Sequence, residues 1–140
     1  MTDSRIKLLL VDDEHEIIRA LQRSLRKDYE IEATTSAYQA LELLEQQAFD
    51  VIVSDVRMME MDGLELLAQC QQNHPLVGRI ALTGYADMEA CQQAIENKTA
   101  QLIVSKPWET FELKNLINVV AELQQTKAAY ASLKKQTGGG

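Results

Sequence analysis

Short apolar runs alternating with longer amphipathic stretches constrain this chain more than any other feature. The runs occupy residues 6–11, 31–34, 51–54, 79–82 and 102–104. The first, third and fifth are nearly uninterrupted by polar side chains, as in strands covered on both faces. Between them apolar residues recur at helical spacing. Ile17, Ile18, Leu21 and Leu25 form one stripe; Ala37, Ala40, Leu41 and Leu44 form the next. Leu64, Leu66, Leu67 and Cys70 form a third, and Met88, Cys91 and Ile95 a fourth. Leu113, Leu116, Ile117, Val120 and Leu123 complete the series.

Five strands, each followed by a helix, imply βαβ units and a parallel sheet. Right-handed crossovers then favour an α/β, flavodoxin-like (βα)5 doubly wound sandwich with sheet order 2-1-3-4-5. The 140 residues suit one compact domain with one sizeable core. We assign that domain to residues 1–125, and residues 126–140 to a helical extension ending in a flexible three-glycine tail. Leu116, Val120, Leu123 and Tyr130 lie four, three and seven apart. Lys127 interrupts that seam, which is too short to read as a coiled coil. A solvated extension leading to a further segment is the expectation.

Net charge is −7, which argues against the broad basic surface of a non-specific nucleic-acid binder. No apolar run approaches the roughly 18 residues of a membrane span. The first residues lack the apolar region and cleavage site of a secretory signal, so the cytoplasm is the expected location. In that setting Cys70 and Cys91 are expected as reduced, half-buried thiols. Neither has a second Cys or a His at zinc-ligand spacing.

In doubly wound sheets function gathers beyond the carboxyl ends of the strands. Asp12-Asp13-Glu14 follows the first run and Asp55 the third; the fourth ends in Thr83-Gly84-Tyr85 and the fifth in Ser105-Lys106-Pro107. Strands 1, 3, 4 and 5 are contiguous in the expected order, so these groups converge. Three close carboxylates raise one another's pKa values unless a cation intervenes. Oxygen donors without His or Cys suit Mg²⁺, which keeps several waters and accepts a phosphate oxygen. A carboxylate can serve as nucleophile and become an aspartyl phosphate. The Lys106 ammonium supplies fixed positive charge, Thr83 a short hydroxyl donor, and Gly84 a backbone N–H that can approach a phosphoryl oxygen closely.

Leu-Val-Asp12-Asp13-Glu, Val-Ser-Asp55-Val-Arg-Met with Met61-Asp62-Gly63 after it, Leu-Thr83-Gly-Tyr and Ser-Lys106-Pro-Trp together resemble a response regulator receiver domain. The resemblance covers about residues 5–125. It implies that Asp55 is the phosphoacceptor, Asp13 a direct Mg²⁺ ligand and Asp12 a ligand through water, with the Arg57 backbone carbonyl completing the protein donors. It also implies a cis Lys106–Pro107 bond and a histidine kinase or phosphotransfer protein as donor. An output domain C-terminal to this chain is a further implied partner, as is a second copy meeting the face made by the fourth helix, fifth strand and fifth helix. No direct contact with nucleic acid or membrane is implied. The segments after Thr83 and Lys106 are most similar to receivers attached to HD-GYP phosphodiesterases or to transcriptional activators.

The plainer readings of these residues are structural. Asp12 and Asp13 can cap a helix, and Asp62-Gly63 can form a turn into the third helix with Asp62 as cap. His15 and His74 read as surface histidines rather than phosphoryl donors. Met58, Met59 and Met61 read as loop packing, and Trp108 and Phe111 as packing for the last helix. A haloacid dehalogenase-type hydrolase lacks its Asp-x-Asp pair here, and a nicotinamide-binding domain lacks its glycine-rich turn.

Several positions depart from the receiver pattern. Ile103 stands where an aromatic residue usually reports phosphorylation, Met59 where a proline is usual, and Lys98-Thr99-Ala100 where a glycine is common. Ile103 leaves open a second function, a scaffold on a receiver fold that signals without phosphorylation. Arg57 and Tyr85 flank the acceptor, and their bulk is expected to hinder the water that hydrolyses the phosphoryl-aspartate.

Overall fold

The structure, a computed structural model, describes residues 5–137, apart from the side chains of Tyr85, Gln136 and Thr137. The three-glycine tail lies outside the described residues. Strands β1 (Lys7–Val11), β2 (Glu30–Thr34), β3 (Val51–Asp55), β4 (Gly78–Thr83) and β5 (Leu102–Ser105) alternate with helices α1 (His15–Leu25), α2 (Ala37–Gln46), α3 (Gly63–Asn73), α4 (Met88–Glu96) and α5 (Thr110–Thr137). All four strand pairs are parallel, in the order β2-β1-β3-β4-β5. This is the expected doubly wound sandwich.

Strand side chains alternate between faces, and the chain uses that alternation to fill two cores. Leu8, Leu10, Val51, Val53, Ile80 and Leu82 meet Ile18, Leu21 and Leu25 of α1 and Leu113, Ile117 and Val120 of α5. Leu9, Val11, Ile52 and Ala81 meet α2, α3 and α4 through Ala40, Leu44, Leu66, Leu67, Cys70 and Cys91. Each fully buried Leu, Ile or Val among these contributes roughly 1.5–3 kcal/mol, so β1, β3 and β4 form a rigid central platform. At the β2 edge, Glu30 is exposed, and charge on an edge strand discourages pairing with another chain. Both cysteines are buried and reduced.

Buried Arg79, at the second position of β4, has backbone carbonyls as its partners. Its Nε donates to Thr99 O at 2.9 Å, and its terminal nitrogens donate to Val77 O at 2.7 Å and Lys98 O at 3.1 Å. The guanidinium thereby holds the α4–β5 turn, in which Lys98 sits at φ 61°. That left-handed conformation is where glycine is ordinarily favoured, so the departure at Lys98-Thr99-Ala100 retains the turn geometry without the glycine.

Two packing expectations change. Trp108 does pack against the α1–α5 core, but Phe111 is 71% exposed on α5. Met59, read as loop packing, is 96% exposed, whereas Val120 of the last stripe is buried as expected. Helix phase at the start of α5 is set by Leu113 and Ile117, and that phase turns Val120 inward and Phe111 outward.

Candidate functional site

The strand register brings the site together. Val11 lies beside Ser54, Asp55 beside Leu82, and Thr83 beside Ser105. Asp12, Asp55, Thr83 and Lys106 therefore occupy the same end of four neighbouring strands. Carboxylate oxygens of Asp12, Asp13 and Asp55 all lie within 4.8 Å of one another. Lys106 Nζ is 2.9 Å from Asp55 Oδ1 and 3.1 Å from Asp12 Oδ2, and the Lys106–Pro107 bond is cis.

Burial dominates the electrostatics. It pushes the Asp55 carboxyl above the usual carboxylate range, against the Lys106 hydrogen bond and with help from the charges of Asp12 and Asp13. Burial raises Asp12 in the same way, opposed by the Glu14 N–H and by Lys106. For Lys106 burial acts downward, yet its hydrogen bonds to Asp55 and Asp12 outweigh that and hold the ammonium above its ordinary value. Two of the three carboxylates thus share one ammonium, and the excess negative charge favours a cation. The donor set is all oxygen, matching the preference of Mg²⁺.

Backbone hydrogen bonds tie the loops around this cluster. Asp12 Oδ1 accepts from Glu14 N at 3.0 Å, so Asp12 turns the chain into α1 as well as facing Lys106. Asp13 Oδ2 accepts from Met59 N at 3.1 Å. Met59 replaces the family's usual proline with a residue that has an N–H to give, while its side chain is fully exposed. Asp62 caps α3, accepting from Leu64 N at 2.8 Å. Thr83 is buried, and its hydroxyl donates to the Gly84 carbonyl at 3.0 Å.

Gly84 has φ −82°, and a Cβ there would meet nothing within 4 Å. Its glycine is not required by the backbone in this arrangement. The Arg57 side chain is tied to the loop after β4. Its Nε is 2.7 Å from Asp87 Oδ1, which joins the β3–α3 loop to the single 3₁₀ turn Tyr85–Asp87. The side chain of Tyr85 lies outside the described residues. Ile103 sits opposite Ala81 in the sheet and packs against the core on the α2–α3–α4 side.

Sequence reasoning missed two contributors. Asp87 carries no motif, and its role depends on Arg57, 30 positions away. Gly63 was read as part of a turn, but its demand is steric: a Cβ there would lie 1.7 Å from the Asp55 carbonyl oxygen. Only glycine lets the start of α3 rest on the backbone of Asp55, with Gly63 N donating to Val56 O at 2.8 Å.

A parallel doubly wound sheet with an acid cluster and a lysine at its carboxyl edge defines the receiver class of signalling domains. The description "Response regulator receiver domain" matches residues 8–118, and the chain belongs to that family. It is 31% identical over 138 residues to the transcriptional regulatory protein ZraR of Escherichia coli, covering 98% of this chain and 30% of that protein. It is also 31% identical to the hydrogenase transcriptional regulatory protein HoxA of Cupriavidus necator, covering 89% of this chain and 26% of that protein. The chain therefore spans less than a third of the length of these curated relatives. Among solved structures, the signal receiver domain of an HD domain-containing protein from Pseudomonas fluorescens is 32% identical with TM-score 0.84, covering 92% of this chain and 96% of that one. A structure described as adenylate cyclase from Rhodopirellula baltica has TM-score 0.90 at 27% identity, covering 95% and 99%. A receiver from an HD domain-containing protein and transcriptional regulatory proteins are thus among the similar proteins.

Proposed function

We propose that this receiver takes a phosphoryl group onto a carboxylate oxygen of Asp55 and uses the product as a switch. The observation that carries the proposal is the Asp55–Lys106 contact at 2.9 Å inside a cluster of three carboxylates. An Asp55 oxygen attacks phosphorus while the P–N bond of a donor phosphohistidine breaks, and the imidazole keeps the bonding electrons and takes a proton. Lys106 moves from carboxylate partner to counter-charge for the transferred group. The Thr83 hydroxyl and the Gly84 N–H turn toward its oxygens. Asp13, Asp55, the Arg57 carbonyl and, through water, Asp12 would hold Mg²⁺, which when bound supplies positive charge to the phosphoryl oxygens. The domain promotes its own phosphorylation and dephosphorylation and turns over no other substrate.

The donor is a histidine kinase or phosphotransfer protein, in the cytoplasm, and residues 1–125 form the receiver unit. The signal leaves through α4, β5 and α5 toward an output domain or a second copy. Arg57 and Tyr85 slow hydrolysis of the product, so Arg57→Asn combined with Tyr85→Glu should shorten its lifetime several-fold; a lifetime unchanged or longer counts against that role. The central test is intact mass after acetyl phosphate with Mg²⁺. Wild type should gain one phosphoryl group, removable by hydroxylamine, and Asp55→Asn should gain none. An adduct independent of Asp55 sinks the proposal.

Ile103 favours a second reading, a scaffold indifferent to phosphorylation, because an aliphatic side chain packed into the core lacks the ring that usually reports the acceptor's state. That reading gains if beryllofluoride binds with Mg²⁺ yet leaves partner affinity unchanged.

A further inference from the structure

Gln124 marks a place in the interior where hydrogen bonding is incomplete. The side chain belongs to α5 and is 3% exposed, and its Nε2 donates to the Pro75 carbonyl at 3.0 Å. That bond fixes which way the amide faces, because a flip would set its oxygen against another acceptor. Its Oε1 is then the one buried side-chain nitrogen or oxygen among the described residues with no hydrogen-bond partner. A buried acceptor without a donor destabilises the fold, and a donor that reached it would remove that penalty.

Gln124 also lines a cavity of about 450 Å³. Asp50 and Val77, which lead into β3 and β4, line it too, so it lies at the opposite end of these strands from Asp55 and Thr83. Buried Leu44, Phe49, Val77 and Ala121 make its walls largely apolar. Ala121 and half-covered Ala128 are small residues on the α5 side, and they leave the space open. Two lining groups are titratable, and each is engaged. Asp50 Oδ2 accepts from Lys7 N at 2.8 Å, and the His74 ring lies 3.2 Å from Glu45 Oε1. Small-molecule sites have this size and this mixture of apolar walls with a few placed polar groups.

The walls select the occupant. Both titratable groups already have partners, so a charged ligand would lose its water without gaining a counter-charge. The ligand is therefore neutral, with an apolar body for the walls and one N–H or O–H group for Gln124. A peptide strand fits poorly, because it brings backbone donors and acceptors in equal number and the buried wall presents a single unpartnered side-chain acceptor. We propose that this cavity binds a small neutral apolar molecule whose one donor hydrogen-bonds to Gln124 Oε1. Gln124, Gln125 and Ala128 of α5 form one side of the cavity and Pro75 and Leu76 another. An occupant thus ties α5, where it leaves the domain body, to the turn before β4. The site is a second input to that helix, separate in place and chemistry from Asp55.

Indole and N-methylindole provide the test, since they share a ring system and differ in the N–H. Each is titrated into the full isotope-labelled chain and followed by two-dimensional NMR. Indole should shift the Gln124 side-chain amide together with the backbone amides of Val77 and Ala121, and leave those of Thr83 and Gly84 unmoved. N-methylindole should bind at least about fivefold more weakly. Indole carboxylate should also bind more weakly than indole, because its charge meets no free cation. Gln124→Met, similar in length but without the amide, should make indole and N-methylindole equivalent. Ala128→Trp fills the cavity from its half-covered edge and should block both probes with Gln124 still in place. No shift at Gln124 up to the solubility of indole overturns the proposal. So does equal affinity of wild type for the two probes, a preference for indole that survives Gln124→Met, or binding that persists in Ala128→Trp.

Discussion

Asp55 is held as much by what lies beneath it as by what faces it. The Gly63 position sits so close to the Asp55 carbonyl that an added methyl would be 1.7 Å from the oxygen, and backbone cannot yield as a flexible side chain could. Gly63→Ala must therefore displace either α3 or the end of β3. The expected cost is roughly 1–3 kcal/mol by the usual scale of overpacking, read in denaturant melts. Phosphorylation by acetyl phosphate should slow by more than the unfolded fraction explains, because the Asp55–Lys106 geometry moves with the strand end. Unaltered phosphorylation in a folded variant would mean that Gly63 serves helix packing alone. The contrast with Asp12, Asp13, Thr83 and Lys106 is instructive. Those residues were legible because each follows an apolar run, and strand ends are where a doubly wound sheet concentrates chemistry. Gly63 and Asp87 were not, since their roles are distances across the fold and leave no spacing in the sequence.

Among the elements, α5 was legible as a helix with Leu113, Ile117 and Val120 on its buried stripe, and was misread at Phe111, which is exposed. A second α5 contact was invisible in sequence. The Tyr29 hydroxyl, just before β2, donates to α5, 2.8 Å from Asn118 Oδ1 and 3.2 Å from the Lys114 carbonyl. Burial, with a smaller push from Asp28, raises this phenol from 10.0 to about 12. The folded state then holds its proton at pH values where the unfolded state has lost it. The associated stability is complete below about pH 10 and is lost as pH rises toward about 12, a swing of order 2 kcal/mol. Tyr29→Phe should cost about 1 kcal/mol at neutral pH and flatten this alkaline decline. Guanidinium unfolding of both proteins at several pH values checks it, and an alkaline decline equally steep in the variant would assign the loss to another group.

At the scale of the whole molecule, two cores on either side of β1, β3 and β4 supply the stability that the acid cluster spends. The chain carries net charge −7, and three of its carboxylates meet at one strand edge with a single ammonium among them. Packing makes that arrangement tolerable, and a bound cation should make it favourable. At Mg²⁺ a hundredfold above its dissociation constant, binding to the native state alone adds about 2.7 kcal/mol. For a domain of this size that corresponds to a melting shift of roughly 9 °C. Asp13→Asn separates the two contributions, because its side-chain oxygen can still accept from Met59 N–H, the bond seen at 3.1 Å, while the charge that helps raise Asp55 is gone. The metal-free variant should melt at or above wild type, and its Mg²⁺-induced shift should fall to a small fraction. Calorimetric melts with and without a chelator measure both quantities. A variant that melts lower without metal yet keeps the full Mg²⁺ shift would show that Asp13 is a structural acceptor for Met59 and that the cation is held elsewhere.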